Sequence, residues 1–438
     1  MAWPVNSTIP TLGWQPGLTA SYRALRDRCE WRQRVALQQV QLIPSPGAAQ
    51  SAERALHVSE CTIDASGDDG AAIWLIRRLG RASADGHVLP LEMNAGMWAA
   101  WTFEMAMPKE FLDARGAARV TSFRFWPVGW SGVDVPMPPL HNHHATYRHE
   151  GLARAAITPE YLRDFPPMKT SAGAGSVADF DCVEEDGGDE CKLKQLPRGY
   201  ARTLPQRAQY SIVLNDVRPR GEPYAVWYEC ALRLLRPSPA AAVRDVAHLS
   251  WFLSGGAERP YTRIDGAMFK TFELPRALPS LHCVTHRWPR AGRIVSEWWH
   301  GHHKFTTVGF VLSGDVESRL RGLIPGASCG QRATPLRGKD ALGPTKVQKL
   351  LAALTAAGDV RHLCSYEPRR VARAPVAGEA AQLYDRAAVG PAAAPSCAGA
   401  RVRRGEQFTV LCLNAAGGDA PGAGPRQHCT WDVDVAFE

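Results

Sequence analysis

No stretch of this 438-residue chain approaches the roughly 18 apolar residues that a membrane-spanning helix requires, so the sequence predicts no helical membrane span. No run of lysine or arginine interleaved with aromatics is present, and the net charge of +8 comes from scattered arginines, which leaves nucleic-acid binding unsupported. The sequence offers no G-x-S-x-G in a strand-to-helix context, no phosphate-binding loop and no G-x-G-x-x-G context, so serine-hydrolase and nucleotide readings fall away. It has no C-x-x-C pair, which argues against a zinc ribbon or a thioredoxin motif. The opening "MAWPVNSTIP" lacks both a basic start and an apolar centre and does not read as a signal peptide; an exported form would carry its leader outside this sequence. Long helices are scarce, because 33 Pro and 39 Gly punctuate the chain.

What is abundant is cysteine, strand-like segments and clustered histidine. Eleven cysteines are many for a cytosolic enzyme and point to disulfides in an oxidising compartment, hence to a secreted or lumenal protein, with at least one thiol unpaired. Cys182 and Cys191 bracket the acidic, glycine-rich "DCVEEDGGDEC", while Cys412 and Cys429 stand in two adjacent strand-like segments. At 438 residues the chain exceeds one ordinary core. Residues 1–50 read as an N-terminal extension. From 51 to 235, segments such as "AAIWLIRRL", "VTSFRFWPV" and "YAVWYECALRLL" combine β-branched and aromatic residues between Gly/Pro turns. "RPSPAAAVRD" reads as a linker, and residues 236–438 repeat the strand-rich pattern with an insertion at about 320–400. Within that insertion Val347, Leu350, Leu351 and Leu354 predict one helix ending at Gly358. The expected fold is all-β: two jelly-roll-like antiparallel sandwiches, an N-terminal extension, and a loop and helix insertion in the second.

Of 14 histidines, six fall in two four-residue windows, "HNHH" (His141, His143, His144) and "HGHH" (His300, His302, His303). On a strand, side chains alternate faces, so H-x-H turns two imidazoles the same way and both can reach one ion. Imidazoles suit copper, zinc, iron or nickel rather than calcium or magnesium. Alternation pairs His141 with His143, and a third ligand must come from another strand. A single-metal cupin-type dioxygenase would need a carboxylate and then a histidine soon after the first knot. The nearest carboxylate is Glu150, and no histidine occurs between His149 and His248. After the second knot only His362 and His428 remain. His428 opens "HCTWDVDVAFE", where His428, Thr430 and Asp432 share one face and Cys429, Trp431 and Val433 share the other. The Cys429 face reads as core, which frees the His428 face to line a cleft. His282 and His286 read as strand-face residues.

These residues together resemble the copper type II, ascorbate-dependent monooxygenases, the family of peptidylglycine α-hydroxylating monooxygenase and dopamine β-monooxygenase. The resemblance runs from about residue 60 to the end, interrupted by the insertion. It implies two mononuclear copper sites. The oxygen-activating copper would take His300 and His302, with His428 standing where the family has a methionine beside a disulfide cysteine; Cys429 and Cys412 would form that disulfide. The electron-transfer copper would take His143 and His144, with His141 drawn in because the family's third histidine is replaced at Asn215 or a neighbour. The resemblance further implies hydroxylation of a C–H bond with O2 and an ascorbate-type reductant acting on a small-molecule substrate. The residues with which the family grips a peptide carboxylate are replaced here by Trp298, Thr430 and Asp432, which points away from peptidylglycine and leaves Asp432 to attract a cation. The rival expectation is a non-catalytic metal-binding or extracellular interaction module on the same fold.

Overall fold

The computed structural model describes residues 18–34, 56–148, 193–253, 262–273, 280–336, 344–366, 396–414 and 426–438, with short breaks inside these spans, among them 302–305, 330–333 and 428. Helix α1 (Leu18–Arg26) leads into β1 (Arg32–Arg34), β2 (Leu56–Asp64) and β3 (Ala72–Ala82), followed by short β4 (Val88–Leu89) and β5 (Leu91–Met93). Next come β6 (Trp98–Ala106), β7 (Ala117–Gly129), β8 (Leu140–Arg148), β9 (Leu193–Gln195), β10 (Tyr200–Pro205), β11 (Arg207–Asp216) and β12 (Tyr224–Leu235). The second half holds β13 (Arg244–Leu253), three short strands β14 (Thr262–Ile264), β15 (Ala267–Phe269) and β16 (Phe272–Glu273), then β17 (Ser280–Arg287), β18 (Gly292–Gly301) and β19 (Thr306–Ser313). Helix α2 (Val316–Leu323), β20 (Thr334–Pro335), α3 (Pro344–Thr355), β21 (Arg361–Tyr366), β22 (Arg401–Val402), β23 (Gln407–Asn414), β24 (Arg426–Gln427) and β25 (Cys429–Phe437) complete the chain. The fold is mostly β and built as sandwiches, as the segment pattern predicts.

One large sheet runs through both halves in the order β1-β2-β3-β12-β7-β10-β13-β25-β18-β22. Its first part packs against β6-β11-β8 over a core that includes Phe123, Phe125, Ile212, Leu214 and Tyr228. Its second part faces β20-β17-β23-β19-β21 over Trp288, Phe408, Val410, Trp431 and Val433. The halves meet where β10 runs parallel to β13, Tyr200 opposite Arg244 and Arg202 opposite Val246. β13 thus begins inside the "RPSPAAAVRD" segment, at Arg244. β7 is covered on both faces, and this explains why "VTSFRFWPV" reads as a nearly unbroken apolar run rather than an alternating one.

Helices cover the outer faces. On α1, Tyr22, Leu25 and Arg26 recur at helical spacing, and Tyr22 and Leu25 pack on Trp74, Ile76 and Ala231. The Cys29–Cys61 disulfide ties the end of this segment to β2, and β1 pairs with β2, so residues from the N-terminal stretch form part of the first sandwich. Helix α3 buries Val347, Leu351 and Leu354 against the outer face of the five-stranded sheet and stops before Gly358, whose φ of 77° is the left-handed conformation open to glycine. Helix α2 has only Val316 and Leu320 as an apolar stripe; its signal is Asp315, whose side chain accepts the Ser318 amide at 3.3 Å. Gly314 sets up that turn, since a Cβ there would lie 2.2 Å from the Asp359 carbonyl oxygen.

Candidate metal centre

His300, the first histidine of the second knot, lies at the end of β18 in the large sheet. β25 lies between β13 and β18, with Trp431, Val433 and Val435 fully buried, so the Cys429 and Trp431 face is core, as alternation predicts. The opposite face forms cross-strand rows. Thr430 stands between His300 and Phe252, and Asp432 between Trp298 and Ser250. Three strands therefore bring His300, Thr430, Trp298 and Asp432 to neighbouring register positions on one face. For these four residues and for Cys429 the backbone register is described, not the side chains. His302, His303 and His428 lie outside the described residues.

The next row on that face was not singled out in the sequence. Asp434, 1% exposed, receives Arg202 through two hydrogen bonds of 2.7 and 2.8 Å, and Ser296 donates to it as well. Arg202 also lies over the Phe123 ring of the first core, 4.6 Å from its centroid. A bidentate guanidinium to carboxylate pair is a directional clamp, and this one joins the two halves next to the His300 rows. Its partners are 232 residues apart, so no local pattern announces it.

The first knot lies on β8, at the edge of the three-stranded sheet. Val213 pairs with His144, Leu214 with Asn142, and Asn215 with His141, so β8 carries an extra residue, His143, at a bulge. The bulge changes the bookkeeping of faces. In an unbroken strand residues 141 and 144 would take opposite faces; here His141 and His144 stand opposite Asn215 and Val213, which share a face. Asn215, the position expected to have lost the family's third histidine, is the direct register partner of His141. A bulge is a common device for re-aiming residues beside a functional site.

Three disulfides are described: Cys29–Cys61, Cys283–Cys329 and Cys364–Cys397, with Cα separations of 5.7, 4.6 and 4.9 Å. Cys412 is disulfide-bonded as well, to a cysteine whose side chain is not described, and Cys182 and Cys191 lie outside the described residues. Cys230 is a buried free thiol, and burial raises its pKa well above the ordinary range. No helix among the described residues is long and apolar enough to cross a membrane.

His282 and His286 of β17 are both buried, and burial pushes the His286 pKa down to about 3, so this imidazole is neutral at ordinary pH. Burial lowers His362 as well, against a backbone hydrogen bond with Cys364 that acts to raise it. Among the described residues, one group of three metal-ligand side chains lies together: Glu297, Cys364 and Cys397, two of them joined in a disulfide.

A second polar cluster, also absent from the sequence reading, lies under α1 on the outer face of the first sandwich. Glu229 and Asp134 sit among Arg26, Arg78 and Arg124, with Arg23 at the rim, 3.0 Å from Asp134. Glu229 and Arg124 are fully buried. Burial works against the Arg124 charge, yet Asp134, Tyr22 and Glu229 outweigh it and its pKa is raised. The Tyr22 hydroxyl donates to Glu229 at 3.2 Å, and burial first, then the Glu229 charge, raises its pKa well above the usual value. No family model and no curated protein matches this chain.

Proposed function

We propose that the chain is a secreted or lumenal copper protein that hydroxylates a C–H bond with O2 and an ascorbate-type reductant. The observation that carries this reading is the strand register of the first histidine knot, at a bulge, and of His300, in cross-strand rows with Thr430 and Asp432. His300, His302 and His428 would hold one ion; His143 and His144, with His141, would hold the other. Imidazole donors suit copper, and the lack of a thioether at position 428 makes the first of these sites harder than a histidine and methionine site. Bound copper would supply activation of oxygen and passage of single electrons. The chain itself would fix ligand spacing. Arg202, Asp434 and Ser296 hold β25 and β18 together one row from Asp432, and Asp432 and Thr430 would orient a small substrate, the carboxylate favouring a cationic one. Disulfides described in both halves are in keeping with an oxidising compartment.

A second reading, a metal-binding module without turnover, is favoured by one observation: Asn215, not a histidine, faces His141 in register. Oxygen consumption by the copper-reconstituted chain decides between them. Uptake of O2 that requires both copper and ascorbate is the expected result. Copper bound in both sites with no uptake on any reductant would leave the module.

A further inference from the structure

The strand that carries His300 also carries a carboxylate on its other face. Glu297 is 9% exposed and registers with Val433, on the core side of β18. Its Oε1 accepts the Ser396 hydroxyl at 2.7 Å and the Cys397 amide at 2.6 Å, while Oε2 accepts the Trp431 indole N–H at 3.0 Å. Oε2 also lies 3.3 Å from the Cys364 sulfur. That contact is not a hydrogen bond in the oxidised protein, because a disulfide sulfur has no proton to give. Cys364 belongs to β21, at the edge of the five-stranded sheet, and Cys397 to the turn before β22, so the three groups join the two layers of the second sandwich. One ligand atom from each lies within 4.8 Å of the others, and both sulfurs are fully buried.

We infer that Glu297, Cys364 and Cys397 form a redox-gated metal site: closed while the disulfide stands, and able to take a thiophilic divalent cation such as Zn2+ once it is reduced. Two thiolates and one carboxylate oxygen are an ordinary donor set for such an ion, with a fourth position left for a small exogenous ligand. Glu297 suits the role because its Oε2 lies 3.3 Å from the sulfur that would become a thiolate. The steps balance. A phosphine reductant takes an oxygen atom from water and leaves as the phosphine oxide; its two electrons and the two water protons convert the disulfide to two thiols. The incoming cation then displaces both thiol protons to solvent. The site is separate from the histidine knots and stands whether or not they hold copper.

The test is a cobalt titration of the full chain, oxidised and after anaerobic reduction with a phosphine. Histidine ligands give no sulfur-to-cobalt charge-transfer band, so the band isolates thiolate binding. It should appear only after reduction, saturate at one equivalent, and vanish in the Cys364→Ser/Cys397→Ser double variant. In Glu297→Gln the affinity should fall by at least about 10-fold, since losing even a group that only orients a ligand costs that much. Should Glu297→Gln fail to fold, alkylation of the reduced wild-type chain supplies the readout: cobalt should slow modification of Cys364 and Cys397 relative to the metal-free chain. A reduced chain with no charge-transfer band, a band unchanged in the double cysteine variant, or no cobalt protection of these two thiols would each overturn the proposal.

Discussion

The two halves of the large sheet bury charge in opposite ways. In the first, two carboxylates, Asp134 and Glu229, are shared among four arginines delivered by α1, β3 and β7, and two of the participants are fully buried. In the second, Glu297 is held by an indole, a hydroxyl and an amide beside a disulfide. The difference teaches where each half is vulnerable. A cluster of like charges balanced by two acids fails when one acid is lost, because the remaining guanidiniums are stranded without water. A carboxylate held by neutral donors fails locally, by the penalty for a donor left unsatisfied.

Substitution is the direct way to break this contrast. Glu229→Gln removes half of the buried negative charge and should destabilise the chain by about 3–5 kcal/mol, read as a lower denaturant midpoint. The double variant Cys29→Ser/Cys61→Ser opens a loop whose ends are 32 residues apart and frees α1 from its covalent tie; a loss of about 2–4 kcal/mol is expected. Glu297→Gln keeps the shape but turns an N–H2 toward N–H or O–H donors, and about 1–3 kcal/mol should be lost in the oxidised protein. A result in which Glu297→Gln costs more than Glu229→Gln would reverse the comparison.

A pH scan sharpens it. Burial holds the His286 pKa near 3 in the folded chain against about 6.5 when unfolded, so the unfolded state binds more protons between those values. The contribution of a neutral His286 is complete above about pH 6.5 and falls as pH drops toward 3, with a slope of at most ~1.4 kcal/mol per pH unit. In His286→Leu the denaturation midpoint should fall less steeply over this window than in the wild type; parallel curves would show that the histidine is not the source.

Much of the fold was legible because its signals are local. Pro and Gly punctuation around β-branched and aromatic runs marked the main strands, and the Val347, Leu351 and Leu354 stripe marked α3. The parallel junction of β10 with β13 was not legible, since a six-residue strand and a linker-like segment carry no sign of which neighbour they will choose. Nor was the cluster under α1, whose hydrogen bonds join Tyr22 to Glu229 across 207 residues and Arg23 to Asp134 across 111. The candidate site divides the same way. Alternation on β25 predicted the Trp431 face as core, and Trp431, Val433 and Val435 are buried, because that signal depends on one strand. The pairing of His141 with His143 by alternation did not anticipate the bulge, which exists only in the register between β8 and β11.

Copper content after reconstitution and dialysis tests the central claim most directly, measured on the wild-type chain, His300→Ala and His143→Ala. Two equivalents in the wild type and one in each variant are expected. Background copper in the wild type, or two equivalents retained in both variants, would contradict the assignment of the paired histidine strands as metal sites.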